Sequence, residues 1–124
     1  MHCLFSSSWP SQSGLKLGHL NIFHIFNKHQ EVLKILNNSN NPFHIFGFSE
    51  TRLQSFINDV EISVSDYNLI RRDPSLHKET GLCVYVHSSI RFKYRKDLST
   101  DNIECIWIEL EKSKHHPAIL ICFL

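Results

Sequence analysis

The stretch FHIFGFSET, residues 43–51, decides how the rest of this chain can fold. Apolar residues run through it with a single polar interruption, His44, before the sequence changes abruptly to Ser49, Glu50 and Thr51. An asparagine-rich segment with Pro42 precedes it. A short apolar run that follows such a breaker predicts a strand buried on both faces. Its polar end marks the place where that strand emerges into solvent.

A second short strand is predicted upstream, at residues 15–22, and it also reaches a polar residue, Asn21, near its end. Between the two strands, apolar residues recur at helical spacing and predict a helix at residues 24–38. A strand–helix–strand unit of this length is typical of a parallel crossover. Ligands bind at the carboxyl edge of parallel strands, so Asn21 and Glu50 are expected at that edge, with Glu50 as the candidate metal ligand.

The rest of the chain predicts five further strands, at residues 67–70, 82–86, 90–94, 103–110 and 118–124. The first two are expected to form a hairpin-like pair, joined by a charged loop that turns at Asp73 and Pro74. Residues 90–94 alternate apolar and basic side chains, which fits either a contact with a phosphate backbone or a solvated edge strand. The acids Asp59, Glu61 and Asp66 have no fixed spacing and are interpreted as parts of a solvated loop.

Composition limits the possible partners and compartments. A chain of 124 residues is long enough for one domain, and a formal net charge of +1 gives no global attraction to nucleic acid. No apolar run is long enough to span a membrane, so no membrane partner is expected. The cysteines show no paired spacing and are interpreted as reduced core thiols of an intracellular protein; they are Cys3, Cys83, Cys105 and Cys122. Residues 1–13 are interpreted as a disordered leader before a domain at residues 14–124.

Five sequence blocks, taken in order, resemble a known family. They are LGHLN (17–21), FGFSET (46–51), YNLIRRD (67–73), GLCVYV (81–86) and IECIWIE (103–109). Together they resemble the N-terminal part of the endonuclease/exonuclease/phosphatase superfamily. Within it they are most similar to the endonuclease domain that precedes the reverse transcriptase in non-LTR retrotransposons.

The resemblance implies a fold, an activity and a site. The fold is a four-layer α/β sandwich, of which this chain would hold the N-terminal part, truncated inside a core strand. The activity is metal-dependent hydrolysis of DNA phosphodiester bonds in retrotransposition. Asn21 and Glu50 are implied as catalytic residues, Glu50 as the ligand of Mg²⁺ or Mn²⁺, and Arg72 and Asp73 as DNA contacts. The implied partners are DNA and either a reverse transcriptase domain or a missing C-terminal half, in the nucleus.

The sequence also departs from the family pattern. Phe23 stands where relatives commonly carry a basic residue, and the glycine cluster before the fourth block is reduced to Gly81. The later Gly-Asp-Phe-Asn and Ser-Asp-His blocks are absent, so no histidine can be assigned to activating the attacking water. The isolated chain is therefore expected to be inactive, and the alternative is a degenerate, non-catalytic relic that binds nucleic acid or a partner weakly at most.

The same departures lead to an expectation about packing. If the second sheet of the sandwich is missing, one face of the layer that contains Val84, Trp107 and Leu120 should be exposed. An exposed apolar layer of this kind predicts that the isolated chain is insoluble or molten.

Overall fold

A computed structural model of the chain describes residues 2–5, 14–37, 41–75, 78–114 and 116–124. It has a mixed α/β architecture with two sheets and few helices. The strands are β1 (His2–Phe5), β2 (Lys16–Asn21), β3 (Ile45–Ser49), β4 (Tyr67–Arg72), β5 (Leu82–His87), β6 (Phe92–Tyr94), β7 (Ile106–Leu110) and β8 (Ile119–Phe123). The single α-helix among these residues is α1 (His29–Leu36), and short 3-10 helices lie at Phe26–Lys28, Asp59–Ile62 and Lys96–Leu98. None of the described helices has the length and apolar character needed to cross a membrane.

The first sheet has the strand order β1-β2-β3-β5-β4, and the predicted crossover lies at its centre. Strands β2 and β3 are parallel neighbours, with Asn21 opposite Ser49, so this prediction is confirmed. Residues 45–48 of β3 are all buried because both faces of the sheet are covered. Phe46 and Phe48 pack in the cluster on the helix side, and Ile45 packs on the opposite side.

The helix that covers the first sheet is shorter than predicted. It begins at His29 rather than at residue 24. Phe23 and His24 have φ angles of 50° and 70°, which an α-helix cannot contain, and the following 3-10 helix at Phe26–Lys28 ends in a non-helical Lys28 with φ −124° and ψ 27°. The buried face of α1 consists of Val32 and Leu36, which pack in the same cluster as the aromatic residues of β3. Residue 38, the predicted end of this helix, lies outside the described residues.

A second sheet packs against the first, contrary to the expectation that it would be missing. It has the order β6-β7-β8, and alternate residues of β7 from Ile106 to Leu110 are buried in the cluster between the two sheets. Val84 is fully buried in that cluster, so the prediction of an exposed face at Val84 is wrong. Trp107 and Leu120 lie on the outer face of the second sheet, where Leu120 is 48% exposed.

Two further predictions concerned the N-terminal segment and the cysteines. Of residues 1–13, the structure describes only His2–Phe5, and it places them as a strand antiparallel to β2; the other residues of the predicted leader lie outside the described part. Cys83 and Cys105 are buried free thiols, which agrees with the prediction of core thiols. Cys122 is also a free thiol but lies partly exposed opposite Trp107 on the outer face of the second sheet, so its placement in the core was wrong, and the side chain of Cys3 lies outside the described part. Burial raises the pKa of the Cys83 thiol, so this cysteine is chemically quiet.

Candidate functional site

The predicted site residues all lie at one end of the first sheet. Because β5 runs antiparallel to both β3 and β4, Asn21, Ser49, Leu82 and Arg72 form one row across four strands. Glu50 directly follows Ser49, and Asp73 directly follows Arg72. We call this end of the sheet, from Asn21 to Asp73, the polar edge. The structure therefore brings all four predicted residues to the edge that the crossover rule indicated.

The chain segments that follow β2 and β3 stay together beyond the sheet. Residues 22–25 donate three backbone hydrogen bonds, of 2.9 to 3.1 Å, to the carbonyl groups of residues 49–51. On the other side, the Thr51 N–H donates to the Gly81 carbonyl at 3.2 Å, and the Arg52 N–H donates to the Thr80 carbonyl at 2.8 Å. The backbone around Glu50 is therefore held from both sides.

Backbone strain is concentrated in these two segments. Phe23, His24, Glu50 and Arg52 have φ angles between 50° and 70°, in the left-handed region that non-glycine residues rarely occupy. Each such residue costs on the order of 1–3 kcal/mol and persists only where its surroundings fix it. Here buried residues next to the strained ones anchor the chain, namely Ile22, Ile25, Thr51 and Leu53. Such strain clusters at functional sites, which makes the polar edge the leading candidate.

Asn21 and Glu50 carry the groups at this edge that are available to a ligand. Asn21 is exposed and Glu50 is half-buried, and neither side chain makes a hydrogen bond or ion pair with the described residues. The described part of the chain contains no group of three or more His, Cys, Asp or Glu side chains that could hold a metal ion. The donor set at the polar edge is therefore one carboxylate and one amide, which fits a cation that keeps most of its water.

Arg72, predicted to contact DNA, is engaged within the chain. Its guanidinium donates to the carbonyl oxygens of Cys105 at 3.1 Å and Thr100 at 3.4 Å, and it forms an ion pair with Glu79 at 3.3 Å. The Arg72 side chain is only 18% exposed. These contacts tie the end of β4 to the segment before β7.

Asp73 is engaged in a similar way. Its carboxylate accepts two hydrogen bonds from the Arg71 guanidinium, at 2.9 and 2.8 Å. Arg71 also donates to Asp59 at 3.0 Å, and these carboxylates, Asp73 first, raise the pKa of the Arg71 guanidinium. In this arrangement the carboxylate of Asp73 neutralises a neighbouring arginine, and a DNA contact by Asp73 stays a prediction.

Replacement of Arg72 with glutamine is expected to lower the free energy of unfolding by about 1.5–3 kcal/mol, the range for hydrogen bonds to a charged group. The loss arises because Glu79, whose side chain is 9% exposed, would be left without its cationic partner. Urea denaturation measures the change, and Arg91→Gln, which alters an exposed arginine, serves as the matched control. A stable Arg72→Gln protein whose DNA binding has a reduced salt dependence would instead support the predicted contact between Arg72 and DNA.

Two residues that sequence reasoning missed fix the loop before β5. The Glu104 carboxylate accepts hydrogen bonds from the Gly81 N–H at 2.8 Å and from the Thr80 N–H at 3.1 Å. Glu79 accepts hydrogen bonds from the backbone and hydroxyl of Ser75, and these bonds, together with Arg72, lower the pKa of the Glu79 carboxyl. No sequence signal could have identified Glu104, because its partners lie 23 and 24 residues away and share no motif with it.

A polar groove opens beside the polar edge. Residues 52–55 line one side of it, and Pro74, Ser75 and Glu79 line the other, around a volume of about 500 Å³. The exposed Arg52 lines this groove and lies two residues after Glu50 in the sequence. The groove offers space next to the strained backbone for a polar ligand.

Comparison with known proteins adds no relative to this description. No protein-family model matches the chain, and no curated protein or solved structure matches it.

Proposed function

We propose that this chain forms the N-terminal part of a metal-dependent DNA endonuclease domain of the endonuclease/exonuclease/phosphatase type. In this proposal Glu50 is the metal ligand and Asn21 is its polar neighbour. The observation that carries it is the polar edge, where Asn21 ends β2, Glu50 follows the parallel strand β3, and both side chains are available to a ligand. The two packed sheets with α1 on the outer face of the first are compatible with the first three layers of a four-layer sandwich.

The small number of ligand groups at the polar edge limits how tightly a metal would be held. Mg²⁺ prefers oxygen ligands and is commonly bound through one or two carboxylates while it keeps several waters. When bound, such a cation polarises a phosphate and stabilises the charge that develops on it. Asn21 can orient the Glu50 carboxylate or donate to a phosphate oxygen without adding charge. Because Asp73 is paired with Arg71, only one carboxylate at this edge is free for a metal, so the expected affinity is weak and Mn²⁺ is the more convenient probe.

A second candidate is a non-catalytic protein that binds nucleic acid or a partner weakly. It is favoured by the absence of a cluster of three metal-ligating side chains in the described ranges. It is also favoured by the internal contacts of Arg72 and Asp73, which occupy two of the predicted DNA-binding groups. Under either candidate the isolated chain is expected not to cleave DNA, because the sequence offers no histidine or second carboxylate that can be assigned to activating water.

Replacement of Glu50 with glutamine is expected to remove selective Mn²⁺ binding at the polar edge. Glutamine keeps the shape of the side chain but loses the negative charge that a hard cation requires. The measurement is paramagnetic broadening of backbone amide signals by Mn²⁺ in an NMR titration. Signals of residues near Asn21 and Glu50 should broaden first in the unmodified chain and should lose this selectivity in Glu50→Gln.

Glu31→Gln is the matched control, since Glu31 is an exposed carboxylate on α1. It should leave the broadening around Glu50 unchanged. Equal broadening in Glu50→Gln and in the unmodified chain would remove Glu50 as the ligand. A plasmid-nicking assay with Mg²⁺ completes the test, because nicking that depends on Glu50 would contradict the expectation that this chain is inactive alone.

A further inference from the structure

The Phe23 side chain is exposed to solvent, although the chain is fixed before and after it. The ring is 54% exposed, although the neighbouring Ile22 and Ile25 are 4% and 0% exposed. The φ angles of Phe23 and His24, 50° and 70°, are the strained conformations that turn the chain outward between these two anchors. A single exposed apolar residue needs no explanation, but one held out by strained backbone does.

Two cations and an imidazole surround the exposed ring. The Lys28 Nζ lies 5.7 Å from the Phe23 ring centroid and the Arg52 Cζ lies 5.3 Å from it, both within the range of a cation–π contact. The His24 ring stands edge-on to Phe23, with centroids 4.9 Å apart. We call Phe23, His24, Lys28 and Arg52 the aromatic–cationic patch.

The cations of this patch are available to an anionic ligand. Arg52 is exposed, and its guanidinium makes no ion pair with any residue that the structure describes. Lys28 donates one hydrogen bond to the Ile22 carbonyl at 2.7 Å, which leaves two of its three N–H groups for other partners. The polar groove begins at Arg52, and its far side carries the Glu79 carboxylate, which is paired with Arg72.

We propose that the aromatic–cationic patch binds single-stranded nucleic acid, with Arg52 and Lys28 turning from the Phe23 ring to contact phosphates as an unpaired base stacks on it. Stacking on an aromatic side chain requires a base with a free face, which a single strand offers and a duplex hides. Lysine and arginine beside the ring supply the phosphate contacts that position such a strand. An acidic peptide would use the cations but has no need of the displayed ring. The inference rests on the nucleic-acid binding that both candidate functions include and specifies its strand type and residues, but it requires neither metal nor cleavage.

The test uses the whole chain and a short fluorescent oligothymidine, with EDTA present so that no metal contributes. Fluorescence anisotropy should show binding of the single strand and weaker binding of the corresponding duplex. Phe23→Ala should weaken binding of the single strand about tenfold, within the range found for loss of one stacking residue. Phe23→Trp should retain it, and Arg52→Gln should reduce the slope of log affinity against log salt by about 0.7, the value for one single-strand phosphate.

Phe56→Ala and Lys34→Gln are the matched controls, and both should leave binding unchanged. The Phe56 ring is 71% exposed but has no cation over it among the described residues, and Lys34 is an exposed cation on α1. No binding of the oligothymidine, equal losses in Phe23→Ala and Phe56→Ala, or equally tight binding of the duplex would overturn the proposal. Competition by a poly-glutamate peptide as strong as that by unlabelled oligothymidine would also overturn it, because the ligand would then be an acidic protein segment. Circular dichroism of each variant verifies that the fold is intact.

Discussion

Replacement of Gly81 with alanine is expected to lower the free energy of unfolding by about 2–4 kcal/mol. Gly81 has a φ angle of 95°, where an L side chain is strained at a cost of about 1–3 kcal/mol. An added Cβ would also lie 2.3 Å from the Thr51 Oγ1 and 3.1 Å from the Pro74 Cδ, and such overpacking typically costs about 1–3 kcal/mol. Urea denaturation of the two proteins measures the difference.

A double-mutant cycle with Thr51→Ala separates the two causes. Thr51 is 1% exposed and its hydroxyl has no hydrogen-bond partner among the described residues, so its removal relieves the clash without breaking a bond seen there. In the Thr51→Ala background, Gly81→Ala should cost less, with the φ strain as the remainder. A loss below about 0.5 kcal/mol for Gly81→Ala in the unmodified chain, the range of an ordinary surface substitution, would contradict the geometry of this loop.

Gly81 also links the segment around Glu50 to the segment before β7. Its carbonyl accepts from the Thr51 N–H, next to Glu50, and its N–H donates to the Glu104 carboxylate. A shift of the loop at Gly81 would therefore reach the strained backbone around Glu50 as well as the segment before β7. We expect that Gly81→Ala also weakens Mn²⁺ binding at the polar edge and nucleic-acid binding at the aromatic–cationic patch, and neither effect requires that Gly81 contact the ligand.

The arrangement of strands was predictable where local patterns carry the information. The apolar run that became β3, the helical spacing that became α1 and the short breaker between them were sufficient for the parallel crossover. The helix start was not predictable, because the left-handed conformations of Phe23 and His24 depend on hydrogen bonds from residues 22–25 to residues 49–51. The packing of β7 against Val84 was missed because alternation reveals a buried face but not the sheet that covers it.

The candidate site was predictable in position and not in its chemistry. The crossover rule located Asn21 and Glu50 at one edge, and the family resemblance placed Arg72 there, as the register of the sheet has it. It could not reveal that the Arg72 guanidinium donates to the Cys105 carbonyl, 33 residues along the chain. The aromatic–cationic patch was likewise hidden, since Phe23 appeared in the sequence only as a departure from a basic residue. The patch depends on Arg52, which the fold brings beside the Phe23 ring.

Replacement of Ile108 with alanine is expected to lower the free energy of unfolding by about 2–5 kcal/mol, the range for a large-to-small change in a packed core. Ile108 is 0% exposed and lies between the two sheets, in the cluster that also contains Ile45 and Val84. The loss combines the burial of the side chain with the cavity left behind. It should appear as a lower midpoint in a cooperative urea transition with an unchanged slope.

Leu120→Ala is the matched control, because Leu120 lies on the outer face of the same sheet and is 48% exposed. Its loss of buried apolar area is smaller, so it should cost about 1 kcal/mol or less. The difference between the two variants measures whether the sheets pack specifically. The sequence-based expectation of a molten chain predicts instead that both variants behave alike and that unfolding lacks cooperativity, since fluctuating packing does not distinguish an inner from an outer position. Because Val84 and Ile108 are both fully buried between the sheets, we expect the first outcome, with unfolding of the two sheets in one transition.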